Sequence, residues 1–168
     1  MNIHLITTDS NCFDLFERTH VGTNINCVIV PENRIKSEKV INVIEHAEAR
    51  KIPVSIHQKN SYFADSLPPA SVAISWFYSQ IIKPEDLACY STGNLNMHGG
   101  KIPEYRGRSA IQWSIINGES ELGITWHKMV EKVDAGPILA EDVILIPPEA
   151  SAWKMRQILI EKAIKIFP

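Results

Sequence analysis

An amide donor, a titratable imidazole and a carboxylate that could act together stand in two separate stretches of the sequence. Asn96 and His98 lie two positions apart in residues 93–98, and Asp134 lies far downstream in residues 133–137. Residues two apart in a β-strand face the same side, so an amide and a titratable imidazole would project together. An amide donor, a titratable imidazole and a nearby carboxylate are groups that catalytic sites combine. Asn96, His98 and Asp134 are therefore candidate catalytic residues.

The same three residues also have ordinary structural interpretations. Asn96 can bond backbone groups, His98 can be satisfied within a loop, and Asp134 can close a turn ahead of Gly136. The two stretches meet only if the tertiary fold brings them together, so their spacing alone decides nothing. Both interpretations stay open at this point.

The elements that must position these residues alternate between strand and helix. Short apolar or β-branched segments are typical of buried strands, and the intervening segments at 12–18 and 37–50 have helical periodicity. Strands separated by helix-length segments predict right-handed βαβ units and an α/β fold, a Rossmann-like and mostly parallel twisted sheet flanked by helices. The predicted strands of the first half are 3–8, 26–30, 52–56, 71–78 and 93–98. His98 would then end a strand, where open α/β sheets place their ligand crevices.

The second half of the chain predicts a helix at 109–117, a strand pair at 123–130 and 136–146, and a last helix that begins near Ser151. We interpret His127 as structural, because it follows Trp126 on a strand among apolar neighbours, and Trp113 as part of the core. No linker divides the chain, so residues 1–168 are predicted to form a single catalytic domain.

Composition excludes several classes of function. The chain has 168 residues, with 17 Lys and Arg against 19 Asp and Glu, so it lacks the excess of positive charge typical of nucleic-acid binding. Three cysteines without a CxxC pair indicate a reducing compartment, and no apolar run approaches the roughly 20 residues of a membrane helix. We expect a cytoplasmic protein with neither nucleic-acid nor membrane partners.

Several cofactor and metal motifs are absent from the sequence. The turn after the first strand, residues 7–11, has no glycine, which argues against dinucleotide binding in the Rossmann manner. No metal site is predicted, because four histidines have no ligand-like spacing and fit surface or half-buried positions: His4, His20, His46 and His57.

An ordered set of motifs carries a family resemblance. Asn96-Met97-His98 is followed by Ile102-Pro103-Glu104-Tyr105-Arg106-Gly107 and later by Asp134-Ala135-Gly136. This order resembles the folate-dependent formyltransferase superfamily, whose signature is N-x-H, then L-P-x-Y-R-G, then D-x-G. The resemblance covers most of the chain, is strongest over 93–146, and is closest to formyltransferases that act on amino sugars of sugar nucleotides.

The resemblance implies transfer of a formyl group from N10-formyltetrahydrofolate to a primary amine, with no metal. Asn96 and a protonated His98 would donate to the oxyanion of the tetrahedral intermediate. Asp134 would relay the proton from the amine, alone or through water, and its charge would favour the imidazolium form of His98.

The resemblance also implies two sets of binding residues. The folate would lie against backbone groups and apolar side chains of Ser79, Gln80, Ile81, Ile82, Met129, Val130, Glu131 and Lys132, although core packing explains Ile81 and Ile82 equally well. The acceptor would contact Gly99, Gly100, Arg106 and Arg108, although each arginine can instead form a surface salt bridge. Gly100 stands where sugar formyltransferases often have serine, and Lys101 where an apolar residue is usual, which puts the identity of the acceptor in doubt.

Alternatives stay open for the identity of the acceptor, for catalytic activity, and for the length and oligomeric state of the chain. A nucleotide-linked amino sugar is favoured, and hydroxyornithine-type amines stay open. Methionyl-tRNA would require a tRNA-binding domain, and glycinamide ribonucleotide formyltransferases usually carry a glycine-rich phosphate loop after the first strand. A non-catalytic relative that binds folate or a sugar nucleotide is the alternative from another class. Relatives commonly continue past the last helix, so a C-terminal extension and a homodimer are further expectations.

Overall fold

The computed structural model describes residues 1–18, 24–63 and 66–168. Its strands belong to one seven-stranded sheet in the order β3-β2-β1-β4-β5-β6-β7, with helices beside the strands along the chain. Within this order the chain groups into two compact units, Met1–Leu95 and Asn96–Pro168, called here the first and second units. The prediction of an α/β fold with a mostly parallel sheet is confirmed. The single-domain assignment stays a prediction.

The first unit is built from parallel strands joined by helices. Its elements are β1 Asn2–Thr7, α1 Cys12–Arg18, β2 Asn24–Pro31, a 3-10 turn Glu32–Arg34, α2 Glu38–Ala49, β3 Val54–His57, β4 Val72–Trp76, α3 Pro84–Ala88 and the start of β5, Gly93–His98. β1 pairs with β2 and β4, and β2 pairs with β3, all in parallel. All five residues of β4 are buried, as expected of a parallel strand covered on both faces.

Two details of the first unit differ from the sequence prediction. The sequence of α2 predicts one buried stripe of Val40, Ile41, Ile44 and Ala47. The structure buries Val40, Val43 and Ala47 and leaves Ile41 41% exposed. The spacing of three and four residues holds, but the buried face is rotated by one position. Helix α3 was not predicted because it has only five residues, although Pro84 stands at its first position, where its missing N–H costs nothing.

The histidines of the first unit follow their structural interpretation. His4 contacts the Tyr90 hydroxyl at 2.9 Å and the Pro68 carbonyl at 2.8 Å, and it is buried. His57 is likewise buried, with the Tyr78 hydroxyl 2.6 Å from its Nδ1. Burial lowers the pKa of both imidazoles. His46 is exposed and stacks on Phe13, whereas His20 lies outside the described residues.

The second unit holds the end of β5, α4 Ala110–Ile116, β6 Glu121–Lys128, β7 Ile138–Leu145 and α5 Ala152–Lys165. β6 and β7 pair antiparallel, and α5 begins where the Ser151 hydroxyl accepts a hydrogen bond from the Lys154 N–H. Trp126 is fully buried and donates to the Ala163 carbonyl at 2.9 Å. In the described part of the chain, no helix combines the length and the apolar character needed to span a membrane.

The prediction that Trp113 belongs to the core is wrong. Its side chain is 54% exposed. Helix α4 buries Ala110, Ile111 and Ser114, so Trp113 lies on the opposite side of a helix too short to bury two faces.

Candidate active site

The predicted residues of β5 stand at its carboxyl end. His98, the last residue of the strand, is 7% exposed, and Asn96 two positions earlier is half-buried. Their side chains point to one side, as the two-residue spacing predicts, because both reach Asp134: the Asn96 amide nitrogen lies 3.4 Å from its Oδ1 and His98 Nδ1 lies 3.4 Å from its Oδ2. The structure therefore brings together the amide, the imidazole and the carboxylate.

Asp134 is held in place by two neighbouring residues, Arg106 and Gly107. Its φ of 48° lies in the left-handed region, which is uncommon for a residue other than glycine and concentrates at functional sites. The Gly107 N–H donates to Asp134 Oδ2 at 2.8 Å, and Arg106 Nε donates to the Asp134 carbonyl at 2.9 Å. The segment that follows Tyr105 thus fixes a carboxylate that stands 27 positions from Gly107 in the sequence.

The ring orientation of His98 is set by Tyr105. His98 Nε2 lies 2.6 Å from the Tyr105 carbonyl oxygen. A carbonyl only accepts, so Nε2 carries the hydrogen and the neutral ring has its lone pair at Nδ1, on the side of Asp134. The Tyr105 hydroxyl donates to Glu119 Oε1 at 2.6 Å and accepts from Asn117 at 3.2 Å, which anchors the residue that holds His98.

Burial decides the resting charge of His98. Its pKa is lowered from 6.5, because desolvation outweighs the negative charge of Asp134 and the Tyr105 carbonyl, both of which raise it. This lowering favours the neutral ring in the resting protein at pH 7, and the protonated His98 that the resemblance implies for the reaction stays a prediction. Burial also acts to raise the pKa of Asp134, but a proton on the facing nitrogen of His127 or on His98, together with the Gly107 N–H, lowers it below its usual value, so the carboxyl stays ionised.

His127 belongs to the site, although its sequence context favoured a structural role. Its side chain is 1% exposed at the end of β6. Nδ1 lies 3.0 Å from the Lys128 carbonyl and therefore carries the hydrogen of the neutral ring. Nε2 lies 3.1 Å from the Asn96 amide nitrogen and 3.3 Å from Asp134 Oδ1. One signal in the sequence could have identified His127 as a site residue. It is a histidine among apolar residues near the end of the strand that leads into the Asp134 loop.

One hydrogen of the Asn96 amide contacts both His127 and Asp134. The Asn96 nitrogen lies 3.1 Å from His127 Nε2 and 3.4 Å from Asp134 Oδ1, and these two partner atoms lie 3.3 Å from each other. In this nearly equilateral triangle the two partners subtend about 60° at the nitrogen, whereas the two N–H bonds of an amide diverge by about 120°. One N–H lies between the two partners, and the second is left for another acceptor.

Gly99 and Gly100 are required for packing. A Cβ on Gly99 would lie 2.8 Å from Leu159 Cδ1, and one on Gly100 would lie 2.7 Å from Ala110 Cβ. A hydroxymethyl side chain in place of Gly100 would collide with this neighbour unless the segment shifted. The role of both glycines in acceptor binding stays a prediction.

The two predicted acceptor arginines differ in their contacts. Arg106 Nε donates to the Asp134 carbonyl, so this side chain holds the loop that carries Asp134. Arg108 is exposed, and no ion pair involving it occurs among residues 1–18, 24–63 and 66–168. Lys101 pairs with Glu121 at 2.8 Å, which accounts for its charge without a ligand.

The predicted folate-contacting residues fall in both units. In the first unit, Ser79 has a buried hydroxyl with no hydrogen-bond partner among the described residues, and Gln80 donates to the His57 carbonyl. Ile81 is 69% exposed, whereas Ile82 packs against the core around Ile29 and Tyr90, so core packing explains only Ile82. In the second unit Met129 is half-buried, and Val130, Glu131 and Lys132 are exposed. Contact of these residues with folate stays a prediction.

The two imidazoles and one carboxylate raise the question of a metal. Within the described residues, no group of three or more His, Cys, Asp or Glu side chains is arranged to hold an ion. The far nitrogen of each imidazole is instead bonded to a backbone carbonyl, and the near nitrogens contact Asp134.

Comparisons with known proteins identify the family and agree with the fold. A family model described as "Formyl transferase" matches residues 10–168. Phosphoribosylglycinamide formyltransferase from Bacillus halodurans superimposes with a TM-score of 0.83 at 18% identity, covering 100% of this chain and 92% of that chain. Glycinamide ribonucleotide transformylase 1 from Geobacillus kaustophilus gives 0.80 at 19%, covering 99% and 94%. A formyltetrahydrofolate deformylase from Pseudomonas syringae pv. tomato gives 0.75 at 21%, covering 98% of this chain and 57% of that one. At these identities the structures share the fold.

The His98 titration tests the balance between burial and charge. NMR of the imidazole C–H signals should give a pKa below 6.5, and Asp134→Asn should lower it further, because the carboxylate raises it. Above pH 6.5 the His98 ring is mostly neutral in both the folded and the unfolded state. Below it the unfolded state binds more protons, so the free energy of unfolding should fall as the pH drops from 6.5 through the folded pKa. A pKa above 6.5 for His98 would contradict the dominance of burial.

Proposed function

The chain belongs to the formyl transferase family, and from that premise we propose that it transfers a formyl group from N10-formyltetrahydrofolate to the primary amine of a small molecule. The observation that carries the proposal is the contact of Asn96, His98 and Asp134 within 3.4 Å in a buried cluster. An amide donor, a neutral imidazole and an ionised carboxylate are what acyl transfer to an amine requires.

The first step forms a bond between the amine nitrogen and the formyl carbon. The unprotonated amine attacks, the carbonyl oxygen becomes an oxyanion, and the nitrogen becomes cationic in one tetrahedral intermediate. The second N–H of Asn96 donates to the oxyanion, since its first N–H is directed at His127 and Asp134. Removal of a single such donor typically costs about 10²–10³ in rate.

The second step moves the proton and breaks the bond to folate. His98 Nδ1 takes a proton from the cationic nitrogen, because its lone pair is free in the resting ring. The imidazolium that forms lies 3.4 Å from the Asp134 carboxylate, which stabilises it. The same Nδ1 then delivers the proton to the departing N10 of folate as the carbon–N10 bond breaks. Formylated amine and tetrahydrofolate leave, and His98 is neutral again.

The donor is proposed on the resemblance and on features of the two predicted loops. Ser79 has a buried hydroxyl without a partner in the described structure, which suits a ligand hydrogen bond. Ile81 and Val130 expose 69% and 39% of their side chains, and apolar surface of this kind suits the flat ring of a pterin. The residues proposed to hold the donor are those predicted from the sequence: Ser79, Gln80, Ile81, Ile82, Met129, Val130, Glu131 and Lys132.

Two acceptors are proposed. The similarity to phosphoribosylglycinamide formyltransferases favours glycinamide ribonucleotide. A specific observation favours an amino sugar on a nucleotide carrier instead, because the loop after β1 offers no open cradle for a phosphate. Thr7 Oγ1 donates to the Trp76 carbonyl, and the Asn11 N–H donates to the carboxylate of buried Asp9. The N–H groups of Asp9 and Asn11 are thus already bonded within the loop.

Substitution of the clustered residues tests the mechanism. Asn96→Ala, His98→Ala and Asp134→Asn should each lower kcat by about 10²–10³, because each removes a group used only in the reaction. The measurement is release of tetrahydrofolate together with the mass of the formylated amine, with folding checked by circular dichroism. Asp142→Asn is the matched control and should leave turnover unchanged. It removes a carboxylate of β7 that pairs with Lys162 of α5. A folded Asp134→Asn protein with normal turnover would remove Asp134 from the mechanism.

A panel of acceptors tests the substrate. The protein and N10-formyltetrahydrofolate are incubated with glycinamide ribonucleotide, amino-sugar nucleotides, hydroxyornithine or no amine, and both formylated product and free formate are measured. We expect formylated product with one phosphate-bearing amine and little formate. Formate release that is equal with and without an amine would assign the site to hydrolysis, the reaction in the name of the Pseudomonas relative. Folate binding without either product would indicate a non-catalytic relative.

A further inference from the structure

Asp134 lies between two imidazoles whose surroundings are closely similar. Its Oδ2 is 3.4 Å from His98 Nδ1, and its Oδ1 is 3.3 Å from His127 Nε2. The far nitrogen of each ring is bonded to a backbone carbonyl, Tyr105 for His98 and Lys128 for His127. Each neutral ring therefore presents a lone pair to the carboxylate, and a proton added to either ring would complete a hydrogen bond to Asp134.

The Asn96 amide distinguishes the two rings. Its nitrogen lies 3.1 Å from His127 Nε2. An amide N–H is a donor, so this contact stabilises His127 with its lone pair at Nε2 and opposes a proton there. The described structure shows no corresponding donor at His98 Nδ1, whose facing groups are Asp134 and the ring of His127. The arrangement leaves His98 as the ring that can gain a proton.

We propose that His127 is a positioning residue for formyl transfer, whose unprotonated Nε2 holds the Asn96 carboxamide so that its second N–H meets the reacting oxygen. His127 acts through Asn96 and does not touch substrate. This inference rests on the proposed function, because the oxygen that receives the second N–H is that of the formyl group.

The geometry explains why His127 is buried so completely. Water at Nε2 would compete for the Asn96 hydrogen, and the side chain is only 1% exposed. With Nδ1 fixed on the Lys128 carbonyl at 3.0 Å, the ring cannot exchange its two nitrogens without losing a buried hydrogen bond. The tautomer that Asn96 requires is thus maintained by the backbone of β6.

A double-mutant cycle tests whether His127 acts through Asn96. His127→Leu should lower kcat on the order of 10-fold to 100-fold with the KM for the folate donor little changed, since it leaves the amide unoriented. In an Asn96→Ala background the same substitution should have almost no further effect on kcat, because the group it positions is gone. His127→Gln places an amide oxygen near the position of Nε2 and should recover most of the activity. Equal effects of His127→Leu in both backgrounds would overturn the proposal.

A stability effect is separated by a control and by a measurement that needs no turnover. His4→Leu removes another buried, doubly bonded histidine and should lower Tm without lowering kcat of the folded protein. In ¹⁵N NMR of the resting protein at pH 7, His127 should carry its hydrogen on Nδ1, and its Nε2 signal should shift in Asn96→Ala. A hydrogen on Nε2 would overturn the proposal even if formyl transfer is established. Absence of transfer to every amine, with Nδ1 protonated as expected, would instead reject the proposed function.

Discussion

The hydrogen bond from the Gly107 N–H to the Asp134 carboxylate, 2.8 Å long, is the constraint on which the site depends. It holds a residue with left-handed backbone close to Asn96 and His98 of β5 and to His127 of β6. Asp134 and Gly107 belong to loops that are far apart in the sequence, and Arg106 bonds the Asp134 carbonyl beside them. Without this joint the carboxylate would be free to rotate away from both rings, and neither the proton acceptor nor the stabilising charge would be defined.

Burial and charge act in opposite directions on the same cluster, and their balance determines its chemistry. A His98 already protonated at rest would have no capacity to take the proton from the nitrogen that becomes cationic when the amine attacks. Desolvation keeps the ring neutral at rest, while Asp134 keeps the imidazolium accessible once the amine has attacked. The carboxylate itself stays ionised because three neighbouring groups outweigh its own burial. One side chain, His98, therefore acts as a base in the resting site and as an acid after the amine has attacked.

The sequence predicted the parts of the site that depend on local geometry. The two-residue spacing of Asn96 and His98 correctly places both on one face of a strand end, and the order of motifs identifies Asp134 as their partner. It did not identify His127, because the apolar neighbours in β6 indicate that the residue is buried but not which side chain lies across from it. Trp113 was misassigned for a related reason: in a helix of seven residues, large apolar side chains on both faces give no clear periodicity. The charge of His98 depends on tertiary burial, which no local pattern reveals.

The pH dependence of the chemical step tests the central claim most directly. Single-turnover formyl transfer would be measured from pH 5 to 8 with saturating donor and with the accepted amine, corrected for the amine's own ionisation. If neutral His98 is the base, the rate falls on the acid side with the pKa that NMR assigns to this ring, below 6.5, and is level above it. A rate that rises as the pH falls through that pKa would show that the imidazolium is the active form and would contradict the account.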